Sequence, residues 1–470
     1  MKKLLEINIS SRNTSKNDEV EELIAIPIAE YEGLKRAVEI SQAKIQELEQ
    51  ELALLKGGRD SRTSSTSPSH DLGRSNRISL RKPSGKKPGG QPGHPGHCLQ
   101  MSDTPDEIID YTPSVCTCCG QSLEDVPVES HIRRQLVDIP PVRPVYTEHR
   151  SHMKTCPSCG TKNKGVFPDR ITAPIQYGPV VKATTVYMSV YQYVPYKRIV
   201  IFFKDCYGLR LSEGCVDNCL QIMSDKALPA YENIREQIHS APAVGGDETG
   251  CKVNGKRHWF HVWQTSLLTF IVAFARRSYE IIEIYFPGGF IRSFYVSDCN
   301  ASQLKTEARA HQLCIVHLIR ELLNFEENLG CQWSISMKEL LYEALALKKN
   351  MTPEDYINPP IQVTDINNRL DELLEVDYSK FHSKEQAFIK RLNKHRASML
   401  TFLAHEIVPP TNNGSEQAIR NIKVKTKVSG QFRNNDGKGA DRYARLRSVI
   451  DTSIKNGQDV YATLINLANG

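Results

Sequence analysis

The chain has 470 residues, of which 40% are hydrophobic and 24% charged, and its formal net charge is +6. This composition is typical of a globular protein and excludes collagen-like and wholly disordered chains. The longest apolar stretch covers residues 267–275, whereas a membrane-spanning helix needs ~20 residues, so we expect no membrane partner. At roughly 150 residues per domain, the length predicts about three domains.

The cysteines and the N-terminal segment indicate the cellular compartment in which the chain works. The 13 cysteines are odd in number and dispersed along the chain, and Glu6 interrupts the N-terminus before an apolar signal region forms. We therefore expect reduced thiols and a cytoplasmic location rather than a secreted disulfide scaffold.

Residues 1–56 form the first predicted segment, with a helical period over residues 20–56. Apolar residues alternate at steps of four and three from residue 34 to residue 55, with one polar interruption at Ser41. This is the a/d seam of a coiled coil, although an amphipathic helix docked on its own core is an alternative. We favour a short coiled coil, and hence a homodimer or a higher oligomer.

Residues 57–105 form a predicted linker that is rich in Ser, Gly and Pro and carries an excess of Lys and Arg. Its composition disfavours helix and central strand. The segment is either a solvated tether or a basic arm that lies along DNA phosphates, and the two roles are compatible. Lys86 and Lys87 are the candidate DNA-binding residues of this arm.

Residues 106–175 contain a metal-binding pattern. Two Cys-x-x-Cys-Gly knuckles supply Cys116 and Cys119, then Cys156 and Cys159. Four thiolates from two such turns suit a closed, tetrahedral structural Zn²⁺ site, so we predict a zinc-ribbon-like module. A redox pair and inert free thiols are the alternatives, and Cys118 is a possible replacement for either ligand of the first knuckle.

Residues 176–240 are predicted to be a helical DNA-binding region. Ser212 is a plausible N-cap for the segment that follows it. That segment resembles the turn and second helix of a helix-turn-helix motif. A helix that only contributes to the core explains the pattern equally well.

Residues 241–430 change to strand alternation. Three strands are expected over residues 246–253, 258–264 and 268–275, a helix near 279–285, a fourth strand over 291–296 and a fifth over 313–316. The order β-β-β-α-β-α-β is that of a ribonuclease H-like α/β core, here with a helical insertion over about 318–410. With a basic C-terminal region over 431–470, the predicted fold class is multidomain α+β.

Three acids stand where this core would need them for catalysis. Asp247 lies in the first strand, Asp298 follows the fourth strand, and Glu416 lies in a later helix. Two-metal phosphoryl transfer needs about three converging carboxylates that hold two Mg²⁺ or Mn²⁺ ions roughly 3.5–4 Å apart. Each acid also has a structural explanation, such as shaping a strand end or capping a helix.

Basic residues follow the third acid. The candidates for DNA phosphate contact are Arg420, Lys423, Lys425, Lys427 and Arg433. Lys423, Lys425 and Lys427 alternate, so a strand would place all three on one face. A solvated surface is the alternative explanation. Double-stranded DNA is the expected partner.

In several motifs the chain resembles the insertion sequence 66 family of bacterial DDE transposases. The similar stretches are residues 87–94, both cysteine knuckles, Asp247-Glu248-Thr249, Cys314 to Arg320 with His317 between them, and residues 412–420, 424–433 and 445–448. The sequence departs from the family at Asp298-Cys299-Asn300, where Asp-Gly-Tyr is usual, and at Ile319 and Gln417, where arginine is usual.

The resemblance implies an activity: cleavage at the inverted-repeat ends of an insertion element, then attack of the 3′-hydroxyls on target DNA. It also implies action at the bacterial nucleoid and small helper proteins from the same element. His317 and Arg320 are candidates to lie near the scissile phosphate, although His317 is as easily a core histidine. A non-catalytic zinc-dependent DNA-binding protein and a nuclease that hydrolyses without joining are the rival functions.

Overall fold

The computed structural model describes residues 4–12, 19–57, 89, 91, 93, 99–433 and 436–470. Lys86 and Lys87, with most of the predicted linker, lie outside the described residues. Strands β1 (Leu4–Arg12) and β2 (Glu19–Pro27) pair antiparallel, and helix α1 (Ile28–Gly57) follows directly. The helix predicted from residue 20 therefore begins later than expected, since the β-branched run before Pro27 forms a strand.

The predicted seam of α1 is open to solvent in the single chain. Its side chains at Leu34, Val38, Ile45, Leu48 and Leu52 are each at least 50% exposed. An exposed apolar stripe of this kind leaves the helix without a partner along that face.

Between the linker and the helical region, regular structure is sparse. Strands β3 (Met153–Thr155) and β4 (Lys162–Lys164) form a short antiparallel hairpin that carries the second cysteine knuckle in its turn. Four helices follow, joined in part by a π-helical turn over Tyr187–Tyr191. They are α2 (Pro179–Val186), α3 (Tyr196–Tyr207), α4 (Glu213–Lys226) and α5 (Leu228–His239).

Helix α4 begins as its sequence predicts. The Ser212 hydroxyl accepts a hydrogen bond from the Cys215 amide, so Ser212 is the N-cap. The apolar side of α4, with Val216, Leu220 and Met223, is buried in the same core as the central sheet. One face of α4 therefore packs in the core, and DNA binding by residues 176–240 stays a prediction.

A five-stranded mixed sheet forms the centre of the protein. Its strands are β5 (Ala243–Val253), β6 (Lys256–Gln264), β7 (Thr269–Phe274), β8 (Phe290–Ser297) and β9 (Ala308–Leu313), in the order β7-β6-β5-β8-β9. The first three are antiparallel, whereas β8 and β9 run parallel to β5. Short helices α6 (Glu280–Tyr285) and α7 (Ala301–Leu304) lie in the two crossovers. The predicted element order is confirmed.

The position predicted for the fifth strand is wrong. Strand β9 ends at Leu313, and the apolar run after it belongs to helix α8 (Ile315–Leu329) with Cys314 as N-cap. The reason is the spacing of Ile315, Leu318 and Leu322, whose buried side chains recur at helical rather than strand intervals.

The expected insertion is helical, with α9 (Gln332–Asn350), α10 (Ile361–Leu374), α11 (Ser383–Lys394) and α12 (Thr401–Ala404). These helices form a second hydrophobic core that reaches the sheet through Phe294 and Val296 of β8. The chain ends with α13 (Asn413–Ser429), α14 (Gly439–Lys455) and α15 (Val460–Asn469). Among the described helices, none combines the length and apolarity needed to cross a membrane.

Candidate active site

The register of the two central parallel strands places Asp247 beside Asp298. Strand β5 pairs with β8 through Gly245 opposite Val296, with the preceding pairs in the same register. Asp247 and Asp298 each follow two residues after that pair. Asp247 lies within β5 and Asp298 directly follows β8. Because neighbouring strands lie about 4.8 Å apart, the two acids lie at the same level of adjacent strands.

Glycines before Asp247 let other elements approach the strand closely. A Cβ atom at Gly245 would lie 2.7 Å from Asn412 Oδ1, and one at Gly246 would overlap the Tyr295 hydroxyl. Side chains of α13 and β8 therefore pack directly on the backbone of β5. This close approach fixes the start of α13 next to Asp247.

The acids act on one another electrostatically. Burial raises the pKa of Asp247 well above its ordinary value, and the carboxylates of Asp298, Glu248 and Glu416 raise it further. Burial, with the Glu248 charge, raises the pKa of Asp298 to about 6. Carboxylates that repel each other in this way favour a proton or a cation between them. Asp298 and Glu416 thus each act on Asp247, and a common site for the three acids stays a prediction.

Glu248, which the sequence did not single out, is the most connected of these acids. It is buried, and Oε1 accepts hydrogen bonds from Arg277 Nε at 2.8 Å and Asn300 Nδ2 at 2.5 Å. Gln303 donates to Oε2. The backbone amide of Asn300 donates to Asp298 Oδ1 at 3.0 Å, so Glu248 holds the loop that carries Asp298.

Glu416 is directed at helix α8 rather than at its own helix end. Arg320 Nη1 and Nη2 donate to its two carboxylate oxygens at 3.2 and 3.3 Å. His317 Nδ1 lies 3.7 Å from Oε1. Helix α13 is capped by Asn412 without a side-chain cap hydrogen bond, so the capping alternative for Glu416 is not what the structure has. His317 and Arg320, which were predicted separately from the three acids, both lie beside Glu416.

The strand that would place Lys423, Lys425 and Lys427 on one face is wrong, because these lysines lie in helix α13. Residues two apart on a helix point about 200° apart. Lys425 is buried and donates to the Ser189 carbonyl at 3.0 Å, and burial lowers its pKa to about 8. Lys425 is therefore removed from the candidate DNA surface.

The remaining basic candidates stay accessible. Arg420, Lys427 and Arg433 are exposed. Lys423 is half-buried, and although burial lowers its pKa, the charges of Asp247 and Glu416 oppose that effect. The positive charge of Lys423 consequently interacts with the carboxylates of both acids.

The C-terminal region presents less positive charge than its composition predicts. Arg442 is buried against Asp217 at 3.1 Å, and Arg447 is buried against Asp451 at 2.6 Å. These side chains hold α14 in the core and are not available to phosphates. A count of basic residues in the sequence does not distinguish buried, paired arginines from exposed ones.

Each cysteine knuckle has the expected turn. Gly120 and Gly160 adopt φ values of 75° and 72° and donate to the carbonyls of Cys116 and Cys156 at 2.9 Å. Hydrogen bonds from Cys119 and Cys118 lower the pKa of Cys116. Such turns prepare thiolates for a metal.

Across the part of the chain that the structure describes, one group of three ligand types has all its ligand atoms within 4.8 Å of one another, namely Cys314, His317 and Glu416. The four knuckle cysteines do not form such a group, and neither do Asp247, Asp298 and Glu416. Neither predicted metal site is a closed group of ligands among the described residues, and zinc binding by the knuckles and magnesium binding by the acids stay predictions.

Two family comparisons cover most of this architecture. The Transposase IS66 family matches residues 174–440, and the zinc-finger binding domain of transposase IS66 matches residues 113–160. The first match spans more than half of the chain, from α2 into α14, and includes the sheet, the insertion and all three acids. No curated protein matches the chain.

Proposed function

The chain belongs to the Transposase IS66 family, and on this premise we propose that it cuts the inverted-repeat ends of an insertion element and joins the 3′-hydroxyls to target DNA. The carrying observation is the shared level of Asp247 and Asp298 on adjacent strands, with Glu416 acting on Asp247 from the start of α13. The mixed sheet order and its acids support a ribonuclease H-like catalytic core.

Divalent cations fit the acid site. Asp247 and Asp298 are carboxylates whose pKa values are raised by burial and mutual repulsion, and a hard cation with oxygen ligands relieves both effects. Asp247, Asp298 and Glu416 would hold two Mg²⁺ or Mn²⁺ ions. Bound there, the ions would supply an activated water or 3′-hydroxyl nucleophile and a stabilised leaving oxygen.

Basic side chains around the acids would position the DNA phosphate. Lys423 lies within the influence of Asp247 and Glu416, and the charge of Arg391, on the inserted helix α11, lowers the pKa of Asp298. Arg320 keeps Glu416 oriented through two hydrogen bonds. We assign phosphate contact to Lys423 and orientation of Glu416 to Arg320, with His317 packed beside that carboxylate.

The knuckles would bind structural zinc. Cys116, Cys119, Cys156 and Cys159 supply four sulfur ligands on two glycine turns, the donor set of a closed zinc site. In our proposal this module reads the element ends on double-stranded DNA. Cys119→Ser should lower zinc stoichiometry, whereas Cys118→Ser should retain it, because Cys119 contacts the Cys116 thiol through its side chain and Cys118 only through its backbone.

The exposed seam of α1 supports pairing of two copies through a coiled coil. Pairing would bring two catalytic cores to the two ends of one element. Helper proteins of the same element and action at the bacterial nucleoid belong to this proposal through the family relationship.

The test of the catalytic proposal uses duplex DNA that carries the inverted-repeat end flanking the gene. Asp247→Asn should abolish Mg²⁺-dependent cleavage and joining while DNA binding persists. The matched control is Asp377→Asn, because Asp377 is an exposed loop acid. Cleavage without joining by the unmodified chain would favour the nuclease, and cleavage that survives in Asp247→Asn would overturn the acid site.

A further inference from the structure

A second cluster of metal-binding side chains lies beside the acid site. Cys314 caps α8, His317 is in its first turn, and Glu416 is in the first turn of α13. Their ligand atoms are all within 4.8 Å of one another. The spacing of Cys314 and His317 in the sequence offers two ligands, and the fold supplies the third from a distant helix.

The sulfur of Cys314 lies among backbone amide donors. It is buried and accepts a hydrogen bond from the Asn412 backbone amide at 3.2 Å. The amides of Val316 and His317 at the start of α8 also donate to it. Burial raises the pKa of this thiol to about 11, although the amides and the start of α8 oppose that effect, so a bound cation is what would stabilise the thiolate.

The imidazole of His317 lacks a partner at the atom that faces this sulfur and Glu416. Among the described residues, its buried Nδ1 has no hydrogen-bond partner, and it lies 3.7 Å from Glu416 Oε1. Nitrogen and oxygen ligands of a tetrahedral zinc ion lie about 3.4 Å apart, given zinc–ligand distances near 2.1 Å. The His317 and Glu416 ligand atoms, 3.7 Å apart, are therefore near the spacing that zinc requires.

We propose that Cys314, His317 and Glu416 form a Zn²⁺ site that is separate from the knuckles and shares Glu416 with the acid site. Thiolate and imidazole ligands select zinc over Mg²⁺. Arg320 donates to both oxygens of Glu416, and it can keep Oε2 while the ion takes Oε1. Water completes the coordination.

Zinc bound in this site affects the cleavage reaction, and this part of the inference rests on the proposed function. Glu416 bound to zinc through Oε1 is withdrawn from Asp247 and Asp298. Zn²⁺ therefore inhibits the Mg²⁺-supported cleavage reaction, and the inhibition depends on Cys314.

Metal binding is tested on the full-length chain without reference to activity. Zinc stoichiometry is measured after dialysis, and Co²⁺ is then added to follow thiolate-to-cobalt absorption. Cys314→Ser and His317→Gln should each lose one zinc equivalent and the corresponding cobalt absorption. The control is Cys331→Ser, because Cys331 is likewise the N-cap of a helix. Stoichiometry unchanged in Cys314→Ser, with all cobalt absorption dependent on Cys116 and Cys156, would overturn the site.

Inhibition is tested by cleavage at fixed Mg²⁺ with increasing Zn²⁺. Cys314→Ser should raise the half-inhibitory Zn²⁺ concentration at least about tenfold, as loss of a metal ligand predicts. An unchanged value would overturn the inhibitory role. If the chain binds the extra zinc but cleaves no DNA with any metal, the proposed function fails while the zinc site stands.

Discussion

The side-chain amide of Asn412 donates a hydrogen bond to the backbone carbonyl of Gly246 over 2.7 Å. Asn412 is buried, its backbone amide donates to Cys314 Sγ, and its Oδ1 accepts from the Ser415 hydroxyl at 2.6 Å. One residue thus joins the strand of Asp247, the cap of α8 and the helix of Glu416. The distance between the acids depends on this connection.

Asn412→Ala should loosen that connection. The variant leaves a buried carbonyl and a buried hydroxyl without their partner, which costs about 1–3 kcal/mol of unfolding free energy. Glu416 then loses its fixed position relative to Asp247, so cleavage should fall by more than the stability change explains. Urea unfolding and cleavage at saturating Mg²⁺ measure the two effects.

Asn413→Ala is the matched control for this variant. Asn413 is the adjacent residue of the same type, but its side chain is exposed. Its replacement should leave cleavage and stability nearly unchanged. Equal behaviour of the two variants would contradict the role given to Asn412.

Glu248→Gln should weaken the metal site without removing a proposed ligand. The NH2 group that replaces Oε2 cannot accept from Gln303 Nε2, and Gln303 cannot offer its own Oε1 instead, because that oxygen already accepts from the Tyr295 hydroxyl. The loop that carries Asp298 loses support, so we expect a loss of about 1–3 kcal/mol in stability. The Mg²⁺ concentration for half-maximal cleavage should rise about 10–100-fold.

The readout that separates positioning from general damage is recovery at high Mg²⁺. Cleavage by Glu248→Gln should approach the unmodified level when Mg²⁺ is in excess. Glu280→Gln, at an exposed acid of α6, should show no change in Mg²⁺ dependence. A loss of cleavage that excess Mg²⁺ does not restore would mean that Glu248 acts in another way.

The order of strands and helices along the chain was predictable for the core because each strand carries its own sequence signal. Alternation and β-branched residues mark β5 to β8 locally, and Asn254-Gly255, both at positive φ, mark the first hairpin turn. The end of β9 was misplaced because a short apolar run fits a strand and a buried helix equally well. Only packing against the insertion decides that the run after Cys314 is helical.

The residues of the proposed site could be named from the sequence where one motif carries the residue, but not where the partners of a residue come from several parts of the chain; their roles stay a prediction. Asp247, Asp298 and Glu416 could be named from fold order. Glu248 could not, since its partners Arg277, Asn300 and Gln303 come from three other places in the chain. Lys425 was assigned to a DNA surface because charge alone does not show burial.

Lys425→Met tests that burial through the pH dependence of stability. The pKa of Lys425 is about 8 in the folded chain and about 10.4 when unfolded. Between these values the unfolded chain binds more protons, so the contribution of Lys425 to unfolding free energy rises with pH. At pH 7 both states are protonated and the desolvation cost of the folded cation is fully present.

The stability of Lys425→Met relative to the unmodified chain should therefore be highest at pH 7 and fall as pH rises from 8 to 10. Chemical denaturation at several pH values measures this difference, in which other titrating groups cancel. A difference that does not vary with pH would show that Lys425 is solvated. Lys427→Met, at an exposed position of the same helix, is the control for replacing a lysine of α13 with methionine.

The exposed basic residues of α13 should carry the DNA contact that Lys425 does not. Arg420→Gln and Lys427→Gln each remove an exposed charge, so DNA affinity should fall and the salt dependence of binding should weaken by about one phosphate contact each. Lys425→Met is the control, because it removes the same formal charge from a buried position. Binding titrations at several salt concentrations compare the three variants. A loss of DNA affinity in Lys425→Met as large as in Lys427→Gln would contradict DNA binding by the exposed face of α13. Only a long-range effect of net charge would then explain both losses.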